Sequence, residues 1–171
     1  MREAIGGSWL LGIVAVFIFL FLFFISYSIN YTRAFNVKNE ILNYIEHSEG
    51  FTMVGKDVDL ETIILTDENK ETVQYKAYEL IRKTGYDYDN VRASDCTRQN
   101  KDDLKNTLFS EGGYGVVKEC QDSANKTQNT YYKVTTFITM KVPVFGIGIN
   151  IPVSGQTRTI YQDKSGYDCD Y

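Results

Sequence analysis

Histidine, proline and cysteine are all scarce in this chain, and each scarcity closes off a class of function. His47 is the single histidine among 171 residues. A Ser-His-Asp or Cys-His catalytic set would have to be assembled around it. It falls at the end of a helical stretch, where a solvated imidazole interacting with terminal carbonyls is the simpler reading. The three cysteines, Cys96, Cys120 and Cys169, fit neither a C-x-x-C pair nor any zinc spacing. Basic residues never cluster beyond the Arg82-Lys83 pair and the net charge is −4, so the basic face that a nucleic-acid partner requires is missing. An EF-hand loop counted from Asp87 needs Gly at its sixth position and Glu at its twelfth, where the chain has Arg92 and Arg98. Asp87/Asp89 and Asp168/Asp170 are therefore read as solvated loop acids. Gly112-Gly113-Tyr114-Gly115 lacks the apolar strand before it and the helix after it that a phosphate-binding loop needs, and reads as a hairpin turn. No catalytic, metal or cofactor site is expected, and the chain does not read as an enzyme.

The lack of proline is most telling near the start, because Pro143 and Pro152 are the only two. Trp9 to Ile25 runs seventeen residues without a charge, fourteen of them Leu, Ile, Val or Phe. At −0.3 to −0.6 kcal/mol each, those fourteen favour insertion into lipid by about 4–8 kcal/mol. Ser26, Tyr27 and Ser28 extend the run to the length that crosses a hydrocarbon core of roughly 30 Å. From Ile29 to Ser48 there is neither Gly nor Pro, and Phe35, Val37, Ile41 and Ile45 recur near the spacing of one helical face. Gly50 is the expected C-terminal cap. Ser8 to Ser48 is thus read as one rod of about 60 Å at 1.5 Å per residue, half in lipid and half projecting with an apolar stripe. The competing reading, a signal peptide cut after Ser28, fits less well. The apolar run exceeds the usual h-region and Glu3 offsets Arg2.

The division expected is 1–8 as a short cytoplasmic N-terminus, 9–28 as a transmembrane helix, 29–50 as a stalk continuing it, and 51–171 as an extracytoplasmic domain. About 120 residues suffice for one core. Residues 51–64 show no clear element. Thr66-Asp67 starts a helix of about seventeen residues, with Val73, Ala77, Leu80 and Ile81 on one face and Gly85 at its end. A short strand is expected near Val91 to Cys96, a helical turn from Asp103 to Leu108, and a strand from Val116 to Cys120. Tyr132, Val134, Ile138, Met140 and Val142 alternate with polar residues, while Thr136 and Phe137 break the pattern. Ile149, Ile151 and Val153 alternate again, continued by Thr157, Thr159 and Tyr161. Pro143 and Pro152 lack N–H donors and mark a sheet edge or a bulge. The fold class is α+β, a long helix and a second helix with a small antiparallel sheet of about four strands.

If the domain lies outside the cytoplasm, the cysteines supply one disulfide and a leftover thiol. Cys96–Cys120 closes the shortest loop, Cys120–Cys169 is next, and three reduced thiols are the cytoplasmic alternative. Positive charge does not orient the span, because Arg2 faces Arg33 and Lys38 across it. Ser8, Gly12 and Ala15 form a small-residue patch that lets another helix approach closely. Sequons at Asn30 and Asn125 carry little weight, and sheet packing accounts for most of the thirteen tyrosines.

Two stretches resemble the TadE-like minor pilins, or pseudopilins, of the tight-adherence (Flp-type) pilus. One is the apolar span running into Tyr31-Thr32-Arg33-Ala34-Phe35-Asn36-Val37-Lys38-Asn39-Glu40-Ile41, then Tyr44-Ile45-Glu46 and Glu49-Gly50. The other is Tyr131-Tyr132-Lys133-Val134 with Lys141-Val142-Pro143-Val144-Phe145-Gly146 and Val153 to Tyr161. The resemblance implies a single-pass membrane protein with an extracytoplasmic domain, acting in assembly of a surface pilus or secretion apparatus. Its expected partners are other pilin-like single-span proteins, the assembly machinery and the lipid bilayer. Ser8, Gly12 and Ala15 are the expected helix contacts, and Phe35, Val37, Ile41 and Ile45 the stalk interface. The chain departs from prepilin-type processing, because the Glu wanted five residues after Gly6 or Gly7 is Leu11 or Gly12. The alternative is a tethered receptor or adhesin domain outside any filament.

Overall fold

The computed structural model describes residues 2–55, 67–86, 107–109, 112–121, 129–142 and 147–161. Helix α1, Arg2–His47, is continuous over 46 residues, about 69 Å at 1.5 Å per residue. It stops in a Schellman arrangement, with Gly50 N–H on the Ile45 carbonyl at 3.0 Å and Glu49 N–H on the Glu46 carbonyl. The left-handed residue of that cap is Glu49 at φ 52°, one position before the glycine expected there, and Gly50 follows at φ 151°.

The second helix is broken. Helices α2, Asp67–Glu71, and α3, Val73–Thr84, replace the expected run of about seventeen residues. Thr72 caps α3 by accepting from Tyr75 N–H, while its hydroxyl donates to the Asn69 carbonyl. The next two amides are taken by the chain leaving α1: Val73 N–H by the Thr52 hydroxyl and Gln74 N–H by the Thr52 carbonyl. The Gln74 side chain holds residues 54 and 55 from both ends of its amide. Gly85, at φ 63°, closes α3, and Arg33 on α1 donates to its carbonyl at 3.1 Å.

Strands β1 (Thr107–Phe109), β2 (Tyr114–Gln121), β3 (Asn129–Val142) and β4 (Ile147–Gln156) form an antiparallel sheet in the order β1-β2-β3-β4. The fold is α+β, as expected. Leu108 lies in β1 rather than in a helical turn; three residues are too few to show a period. Gly112 and Gly113, at φ 64° and 84°, turn the chain into β2. Among the described strands β4 is an edge, which accommodates Pro152. It ends at Gln156, short of the expected Tyr161. The Thr157 hydroxyl accepts from Tyr132 N–H and Ile160 bridges to Thr130, one residue out of the β4 register. That bulge buries Ile160 and leaves Thr159 and Tyr161 exposed. The strand expected at Val91 to Cys96 and Pro143 lie outside the described residues.

The core sits between α1 and the sheet. Ala34, Val37, Ile41 and Ile45 are fully buried, as are Val116, Tyr132 and Val134. Thr136 holds a core-facing position because its hydroxyl donates to the Ala34 carbonyl at 3.0 Å. Gly155 lets β4 approach the helix: a Cβ there would lie 2.9 Å from Leu42 Cδ1. Residues 29–50 are therefore the central element of the domain and not a stalk below it. The stripe that needed a cover is covered by the chain's own sheet.

Candidate membrane and partner-contact surface

Helix α1 divides into two halves of opposite environment. From Trp9 to Ile25 every large apolar side chain is at least 40% exposed, and the helix is long and apolar enough to span a membrane. From Ala34 onward the same helix is the spine of the folded domain. The change falls across Tyr27, Asn30 and Tyr31. Tyr27 packs at the margin of the core, and Tyr31 stacks on Phe35 with centroids 6.1 Å apart. Tyr and other amphipathic rings favour a boundary between lipid and water.

The expected helix contacts lie on the apolar half. Gly12 has no neighbour within 4 Å of where a Cβ would stand, and it opens a shallow notch lined by Trp9, Ile13 and Val16. Ala15 is exposed. The Ser8 side chain lies outside the described residues. Gly12 and Ala15 are thus accessible to a second helix.

The expected stalk interface is split by the structure. Val37, Ile41 and Ile45 are wholly buried in the domain and so present nothing to a partner. Phe35 is 38% exposed and faces away from them. Its ring carries the Lys38 ammonium 4.1 Å from its centroid. Lys38 runs its stem beside the Gly155 backbone, and burial pulls its pKa below 10.5. A charged head over an aromatic face with a buried stem is the usual compromise for a lysine at the margin of a core.

Several positioning residues escaped the sequence reading. Asn30 donates from its side-chain amide to the Thr139 carbonyl at 2.9 Å, tying the helix to β3. The Tyr86 hydroxyl donates to the Gly113 carbonyl at 2.8 Å and accepts from Phe137 N–H at 2.6 Å, closing the ladder where β2 stops. Glu46 accepts from Arg158 N–H at 2.9 Å. Each is a single polar residue whose partner is distant in sequence, so no local pattern announces it.

Cys120 is half-buried on β2. Cys96 and Cys169 both lie outside the described residues. Among the described residues no group of His, Cys, Asp and Glu is placed to hold a metal ion. His47 sits in the last turn of α1. No family model matches the chain, and neither does any curated protein or solved structure with which it was compared.

Proposed function

We propose that the chain is a membrane-anchored minor pilin or pseudopilin, acting in assembly of a Tad-type surface pilus or secretion apparatus. The observation that carries this reading is the division of α1. One unbroken helix offers an apolar, uncovered half and gives its other half to the core of an α+β domain. An anchor built this way cannot swivel at a linker. Any lateral packing of the apolar halves then fixes the spacing and orientation of the domains they carry. Within lipid, such packing proceeds through close approach at small residues, and Gly12 and Ala15 supply them. The resemblance of the span and of the β3–β4 region to TadE-like proteins points the same way. The domain lies outside the cytoplasm in this reading, where Cys96 pairs with Cys120 and Cys169 is left over.

Burial of Val37, Ile41 and Ile45 favours a second reading. A tethered receptor or adhesin domain needs no interface along the domain half of the helix, and most of that stripe is unavailable to one. Shearing cells, separating released filaments from membranes, and following the protein in both fractions with an in-cell crosslinker distinguishes the two. Crosslinks to other single-span helical proteins support the pilus reading. Protein confined to membranes without such partners supports the tethered domain.

A further inference from the structure

The sheet does not end evenly. Pairing of β2 with β3 stops at Tyr114↔Thr136, whereas β3 and β4 continue together from Phe137↔Pro152 to Val142↔Ile147. Among the described residues β3 and β4 therefore run on as a two-stranded ribbon beyond the four-stranded region.

The contacts with α1 give the ribbon's direction. Glu46 meets Arg158, Leu42 meets Gly155, Ala34 meets Thr136, and Asn30 meets Thr139. Moving outward along β3 is thus moving toward the apolar half of the helix. Val142 is three residues beyond Thr139, about 10 Å of strand. Ile25, the last residue of the apolar run, is five residues before Asn30, about 7.5 Å of helix. The ribbon ends level with the start of the lipid-facing surface.

Its chemistry suits that level. Ile149 and Ile151 are 45% and 37% exposed on the edge strand, beside an exposed Pro152. Between Lys141 and Arg158 the sequence holds no charged residue. Ile149 and Ile151 pair with Met140 and Ile138 and so share the face of the ribbon on which Thr136 meets α1, and Tyr27 and Tyr31 lie at the same height on α1.

We propose that the β3–β4 ribbon is a second membrane contact, with Ile149 and Ile151 seated at the boundary between headgroups and acyl chains. This rests on α1 spanning the bilayer. The domain is then held against the membrane at two points, the helix and the ribbon, which fixes its rotation about the helix axis as well as its height. Shallow burial of an apolar face beside polar backbone is the mode of interfacial segments.

The test uses the full chain in vesicles of phosphatidylcholine and phosphatidylglycerol containing brominated acyl chains. Trp9 is the only tryptophan, so in a Trp9→Phe background a single reporter is placed by Ile149→Trp, Ile151→Trp or, as a distal control, Thr159→Trp. Bromolipid is expected to quench the reporters at 149 and 151 and to spare the one at 159, with aqueous acrylamide giving the opposite order. The ribbon contact is overturned if Trp9 in the unaltered chain is quenched while 149 and 151 behave like 159. Reporters shielded from acrylamide yet untouched by bromolipid also overturn it, because protein then covers the ribbon. An unquenched Trp9 removes the membrane span itself, and the ribbon contact with it. Circular dichroism matching the unaltered chain establishes that each variant is folded, and the two adjacent reporters check one another.

Discussion

Replacing Ile41 by Ala separates a core position from a partner-binding one. Ile41 is fully buried between α1 and the sheet, in one cluster with Val37, Ile45, Val134 and Tyr132. Truncation to Ala there removes three carbons and leaves a cavity that the flanking β-strands cannot collapse into. The loss is about 3–4 kcal/mol, within the range for buried Ile→Ala. With a urea m-value of about 2 kcal/mol/M, the unfolding midpoint falls by about 1.5–2 M. The assay is urea unfolding of detergent-solubilised protein, followed by near-ultraviolet circular dichroism of the tyrosines. Phe35→Ala is the matched comparison. Its ring is partly exposed and its contacts are the Tyr31 ring and the Lys38 ammonium, so its loss is expected below about 1.5 kcal/mol. An Ile41→Ala midpoint within about 0.25 M of the unaltered protein, less than roughly 0.5 kcal/mol, would refute the placement of the stripe in the domain core.

Other outcomes follow from the same packing. Gly155→Val drives Cγ atoms past a Cβ position already 2.9 Å from Leu42 Cδ1 and 3.2 Å from the Lys38 stem; a loss of about 1–3 kcal/mol is expected in thermal unfolding. Thr139 is buried and its hydroxyl has no hydrogen-bond partner among the described residues, so Thr139→Val should raise stability by about 1 kcal/mol, read as a higher midpoint in urea. Burial raises the pKa of Tyr114 above 10.0, and burial, then Glu40 and Glu79, raise that of Tyr44. Above pH 10 the unfolded chain loses phenol protons that the folded chain keeps, so stability falls with rising pH, by up to about 1.4 kcal/mol per pH unit for the fully buried Tyr114 and by less for Tyr44. Tyr114→Phe should flatten that decline, measured as urea midpoints between pH 9 and 11. Lys38, with its lowered pKa, acts in the opposite sense just below pH 10.5.

The apolar run was legible because fourteen of its seventeen residues are large aliphatic or phenyl side chains. The helical period beyond it was legible too, but not its cover. A stripe sealed by its own sheet and a stripe awaiting a partner have the same spacing. Phe35 drew the stripe toward itself because it is large, while the position that packs is Ala34, one residue and about 100° away, chosen small so that Thr136 can reach the backbone. Lys38 is a charged residue in the sequence, which does not reveal a stem buried under its head. The break at Thr72 depends on Thr52, twenty residues earlier, and the end of β4 depends on a bulge against Thr130. Strand alternation in β3 was readable, including the departure at Thr136 and Phe137, because both of its faces are buried there.

The two halves of α1 have different neighbours, the apolar half uncovered and the other half sealed by the sheet. A photo-activatable amino acid placed in turn at Gly12, Ala15 and Ile41 in cells tests this at single positions. The expected result is crosslinks from 12 and 15 to other single-span helical proteins, and from 41 only within the chain. Crosslinks from 41 to another protein, with 12 and 15 touching lipid alone, would contradict it.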